Sequence, residues 1–121
     1  MDKEQALQSF FAGFGIPAYD ENTVPDNASL PRITYQVITD NFGAQNVITA
    51  SIWDRSKSWK GVTDILHDIE NLLGYGGHTV KYDGGMIWLC RGMPFAQRMG
   101  DTDDSIRRIV INVQVEYISE V

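Results

Sequence analysis

His67 and His78 are the two histidines of the chain and Cys90 is its single cysteine. Imidazole and thiolate are the donors that hold zinc, so these three residues are the first candidates for a metal centre. They lack the close ligand pairs, such as C-x2-C or H-x3-H, that structural and catalytic sites use. His67 falls opposite the apolar stripe of a predicted helix, and Cys90 alternates with Trp88 and Met86 in a predicted half-buried strand. The expectation is therefore no metal. Asp101-Thr102-Asp103-Asp104-Ser105 is an acidic cluster without the glycine and distal glutamate of a calcium-binding loop, so it reads as a solvated loop before a strand. Arg107 and Arg108 stand close enough in sequence to pair with those carboxylates, a contact that stabilises little at a surface.

Gly74-Tyr75-Gly76-Gly77-His78 looks at first like a phosphate-binding loop. Such a loop follows a strand and opens a helix, which aims backbone N–H groups at the anion. Here the glycines follow a helix and open a strand, so they read as a C-cap and a turn. No serine lies in a G-x-S-x-G elbow, and no histidine stands in an evident partnership with one. Spacing brings no two carboxylates into one cleft. The residues thus point away from an enzyme and toward no cofactor.

One stretch remains. Asp54-Arg55-Ser56-Lys57-Ser58-Trp59 joins a strand to a helix. Arg55, Lys57 and Lys60 beside Asp54 read as a solvated corner rather than a phosphate site. Trp53 shares its strand face with Thr49 and Ser51, the less buried face, and an exposed tryptophan there needs a partner. Tryptophan and arginine are frequent interface anchors. Trp53, Arg55, Lys57 and Trp59 are therefore predicted to make protein contacts.

The elements that position these residues follow from length and pattern. The 121 residues suit a single domain spanning 1–121, with 43% apolar and 21% charged residues. The apolar runs are far shorter than the roughly 20 residues of a membrane span, so no membrane partner is expected. The acidic N-terminus lacks the basic and apolar segments of a cleaved signal peptide. A lone cysteine allows no intrachain disulfide and suits a reducing compartment. A net charge of −6 argues against specific nucleic-acid binding, which needs cationic density to release counterions.

Helical spacing of Ala6, Leu7, Phe10, Phe11 and Phe14 predicts a helix over 3–14, ended by Gly13 and Gly15. Residues 16–31 hold three prolines and read as a long connector, with Ile16–Tyr19 as a short strand. Residues 33–40 and 46–53 predict a hairpin around the 41–45 turn, with Ile48, Ala50 and Ile52 on the core side. Val62, Ile65, Leu66, Ile69, Leu72 and Leu73 recur as the stripe of an amphipathic helix, with Ser56 or Ser58 as N-cap and Gly74 past its end. Residues 78–91 predict a second hairpin turning at Asp83-Gly84-Gly85. Residues 92–104 read as irregular. Residues 105–119 alternate as a long final strand, roughly 40 Å at about 3.3 Å per residue. The expected fold is α+β, a mainly antiparallel sheet of four to five strands with two helices packed on one face.

This layout resembles the tail terminator (tail completion, or head–tail joining) proteins of long-tailed bacteriophages, some of them called minor capsid proteins. The resemblance is carried by an N-terminal helix leading to Ile16-Pro17-Ala18-Tyr19 and Val24-Pro25, and by Leu30-Pro31-Arg32-Ile33-Thr34-Tyr35 opening a strand. It is also carried by Ser51-Ile52-Trp53-Asp54-Arg55-Ser56 running into an amphipathic helix, and by the closing strand Arg108 to Tyr117. It implies a virion structural protein of a phage or prophage, made in the bacterial cytoplasm. It implies a ring, commonly a hexamer, that caps the tail tube at the tail–head junction, with tail tube protein and head-completion or connector protein as partners. No catalytic residue carries over. The family's contact regions map roughly to 41–45, 83–85 and 92–104, which adds Asn41, Phe42, Asp83, Gly84, Phe95 and Arg98 to the contact residues. Two rivals stand beside this reading: a head-completion or other neck protein, and a small-molecule-binding α+β domain, which would show a deep polar pocket.

Overall fold

The computed structural model describes residues 1–37 and 46–119. Two helices, α1 (Lys3–Phe11) and α2 (Lys60–Leu73), accompany six strands. These are β1 (Ala18–Asp20), β2 (Arg32–Val37), β3 (Asn46–Arg55), β4 (His78–Tyr82), β5 (Gly85–Met99) and β6 (Ile106–Ser119). They form one sheet in the order β1-β2-β3-β6-β5-β4. The architecture is α+β as expected, but the sheet has six strands and is mixed. β1 lies parallel to β2, and every other pair is antiparallel. The parallel pair arises because the 21–31 connector carries the chain back before β2 starts, and the Ile33 amide then donates to the Pro17 carbonyl at 2.8 Å.

Register explains the core. Ile33, Ile52 and Ile109 lie side by side on adjacent strands, as do Tyr35, Ala50 and Ile111. Ile48 adjoins Val113, and Leu89 adjoins Val115. Alternation puts all of these on one face, and all are buried. Both helices cover that face: α1 against β1 and β4, α2 against β3, β5 and β6.

α1 starts where Asp2 accepts from the Gln5 amide and Gln5 reaches back to the Asp2 amide, a reciprocal cap that satisfies two orphan donors. It ends at Phe11, and Ala12–Phe14 tighten into a 3-10 turn, so the helix is shorter than its apolar spacing implied. α2 is capped at Trp59 rather than at a serine, although Ser58 Oγ accepts from the Lys60 amide at 3.1 Å. Val62, Ile69 and Leu73 are buried and Ile65 and Leu66 partly so, whereas Leu72 is 43% exposed and falls outside the stripe.

The expectation of irregular structure over 92–104 is overturned for residues 92–99. β5 continues through a register shift between Arg91 and Ala96, then pairs again from Ala96 opposite Ile111 to Met99 opposite Arg108. A bulge kinks the strand. Its far half is exposed, so it carries none of the apolar alternation that would mark it in sequence. Gly92 sits at the kink because any Cβ there would meet the Asn112 carbonyl oxygen at 2.7 Å. Asn112 Nδ2 in turn donates to the Pro94 carbonyl.

Candidate protein-contact surface

β2 and β6 begin and β3 and β5 end at the same margin of the sheet. Register there lines up Arg32, Trp53, Arg108 and Met99 across four strands. Their neighbours Ile33, Ile52 and Ile109 point to the helices, so this row lies on the uncovered face. The Trp53 indole N–H donates to Thr34 Oγ at 2.9 Å. The Arg108 guanidinium stacks 4.4 Å from the indole centre, and its Nε donates to Ser51 Oγ at 3.1 Å. Indole and guanidinium together cover the two hydroxyls, and Thr34 and Ser51 are only 5% and 4% exposed. The sequence placed Trp53 on the wetter face lacking a partner. Its partner is Arg108 of the same chain, and the two hydroxyls beneath the stack are buried.

On the helix side, Trp59 opens α2 between two more guanidiniums, Arg98 at 4.6 Å and Arg107 at 5.4 Å. Cation–π attraction holds each stack. Arg107 also donates to the carbonyls of Asp104 and Lys57, which pins the α2 approach to the start of β6. Arg55, rather than Arg107 or Arg108, pairs with a carboxylate of the acidic loop, at 3.4 Å from Asp103 and 3.1 Å from Ser105 Oγ. The Ser105 hydroxyl and amide both donate to Asp103 and hold its carboxyl below the usual range, with Arg55 adding to the effect. Lys57 is exposed. Lys60 pairs with Asp64, whose hydrogen bond and charge raise the amine's pKa.

Of the predicted contact residues, Trp53, Arg55, Lys57, Trp59 and Arg98 thus converge on one margin. Phe95 lies elsewhere, at the β5 bulge, where Arg91 sits between its ring and that of Tyr75 at 5.9 and 5.1 Å. Tyr75 and Met93 are 100% and 93% exposed beside a groove of about 830 Å³. Asp83 and Gly84 form the β4–β5 turn, near the far end of β6, with Gly84 at φ 98. Asp83 Oδ2 there faces the N-terminal amine at 3.1 Å. Asn41 and Phe42 lie outside the described residues.

No protein-family model matches the chain, and no curated protein matches it. Among the solved structures that match is a chain from the virion of a native gene transfer agent (GTA) particle, covering 94% of this chain and 96% of its own, with a TM-score of 0.53 and 17% identity. The chain shares its fold with a chain of a virion. The match runs over nearly the full length of both chains, so it concerns the fold as a whole and not a local motif.

Arg32 and Arg108 escaped the sequence reading as members of this margin. Arg108 is directly opposite Trp53 only through the β3–β6 register, a pairing across more than fifty residues. Tyr75 and Met93 had been absorbed into a turn and an irregular segment. Among the described residues, no three His, Cys, Asp or Glu side chains gather as a metal site would require, and no helix is long and apolar enough to cross a membrane.

Proposed function

We propose that this chain is a structural protein of a phage or prophage virion, a tail terminator that caps the finished tail tube and joins tail to head. The fold shared over nearly the full length of a gene transfer agent virion chain is the observation that supports this reading. The layout of Leu30 to Tyr35, of Ser51 to Ser56 and of the long final strand supports it from the sequence side.

In this reading the protein makes no bonds and needs no cofactor. Copies assemble as a ring, a hexamer when complete, between the tail tube protein below and a head-completion or connector protein above. Closed rings use heterologous patches related by rotation. The tryptophan–arginine margin and the Tyr75–Met93 groove are two such patches on one subunit. DNA passes through the ring without being gripped, which suits a chain of net charge −6.

Mixing the purified protein with purified tail tubes tests the reading by native mass spectrometry and sedimentation. The expected result is a ring bound at tube ends. A protein that stays monomeric and never joins tubes at high concentration overturns it. A head-completion or other neck protein draws equal support from the virion likeness. Gene deletion separates the two: tails of uncontrolled length mark a terminator, normal tails with leaking heads mark a neck protein.

A further inference from the structure

We propose that the cleft between the 28–30 connector and the 101–106 loop is a carboxylate-recognition site for an acidic segment of a partner protein. This deepens the protein-contact reading of the tryptophan–arginine margin and rests on it, but does not depend on ring formation. The cleft holds about 490 Å³, and both Arg32 and Arg55 line it, with Trp53 between them. Arg32 is opposite Trp53 on β2, and Arg55 is two residues beyond Trp53 on β3, so alternation puts both guanidiniums on the same face.

The donors here outnumber their acceptors. Arg32 makes one hydrogen bond, to the Ala28 carbonyl at 3.0 Å, and its Nε is buried with no acceptor. No carboxylate pairs with it among the described residues. The guanidinium end of Arg32, at the cleft wall, is thus the part free to meet a ligand carboxylate. Arg55 reaches Asp103 at 3.4 Å between side chains 63% and 51% exposed, a contact that yields readily. Asp103 keeps its Ser105 bonds if Arg55 leaves. Arg108, stacked on Trp53 and likewise without a carboxylate, adds a third positive charge nearby.

Planar guanidiniums match a carboxylate through parallel N–H···O bonds. The remaining walls choose a peptide over nucleic acid. Leu30, Trp53 and Ile106 offer apolar contact to residues flanking an Asp or Glu.

The test titrates the full chain with a capped Glu-rich peptide containing one leucine. The readout is the Trp53 indole N–H resonance, assigned through Trp53→Phe. The expected result is a saturable shift that weakens with salt, with affinity falling about tenfold in Arg32→Gln and in Arg55→Gln and less in Arg55→Lys. Lys81→Gln, on β4, should leave it unchanged. Arg55 is largely exposed, so Arg55→Gln should fold even if Arg32→Gln does not. No shift with peptide, unchanged affinity in Arg55→Gln, equal binding of inorganic phosphate, or tighter binding of duplex DNA each overturns the proposal. Tube binding by Arg55→Gln is measured separately. In the parent protein, rings on tubes without peptide binding overturn this proposal alone, and peptide binding without rings overturns the tail-terminator reading alone.

Discussion

Tyr35 is 5% exposed, its hydroxyl donates to Gln8 Oε1, and its ring stacks on Phe11 at 4.7 Å. Burial raises its pKa above 10.0, and the charges of Asp20 and Glu4 push the same way. Tyr117 is raised chiefly by burial too. A phenol that holds its proton more tightly when folded contributes stability that is whole below the unfolded pKa of about 10 and is lost as pH rises through the folded pKa. Stability should therefore fall as pH rises above about 10. Urea denaturation of Tyr35→Phe across that window should show a shallower fall than the parent. At the margin, Arg108→Ala removes a stacked cation and strips Ser51 of its donor, at a cost of about 1–2 kcal/mol. Lys57→Ala, exposed, should stay within about 0.5 kcal/mol of the parent in the same assay.

Elements differ in how much a single change can disturb them. Ile69 is fully buried on α2 at the helix–sheet boundary. Ile69→Ala should cost about 2–5 kcal/mol, and Ile69→Asp should unfold the chain, both read by thermal melting. Ile65, only partly buried, should cost less on the same change to alanine. The β5 bulge is fixed from the backbone side. Gly92→Ala drives a methyl against the Asn112 carbonyl and should lose about 1–3 kcal/mol, whereas Gly13→Ala, with nothing within 4 Å, meets no such obstacle. A Gly92→Ala protein as stable as the parent would mean that the bulge relaxes freely. Both helices and the β4–β5 turn were legible because helical period, the glycines beyond each helix and a glycine at the turn are local signals. The far half of β5 was not, because an exposed strand is recognised by pairing, which depends on a segment far along the chain.

At the scale of the molecule, β6 lies between β3 and β5, so the last strand joins two halves of the sheet that otherwise share no ladder. Truncation after residue 104 should leave a chain without cooperative unfolding or dispersed NMR resonances, since both inner strands would lose half their hydrogen bonds and their buried isoleucine rows. A truncated protein that still melts cooperatively would place the fold's stability elsewhere. Central placement of a terminal strand also makes most sheet contacts long-range, which slows folding relative to a helical domain of this size. It is this placement that assembles the candidate surface, because Arg107 and Arg108 reach Trp59 and Trp53 only once β6 has docked.

By itself the sequence determined the α+β class, both helices, the core faces of β3 and β6 and the corner at Trp53 to Trp59. Each rests on periods and capping chemistry that act within about a dozen residues. Tertiary structure alone decided the six-strand order, the parallel β1, the continuation of β5 and the gathering of Arg32, Arg98, Arg107 and Arg108 around two tryptophans. The reason is physical. Alternation says which side of a strand a residue faces, but which residue stands opposite is set by long-range register, and register is fixed only when the whole apolar face closes over the core.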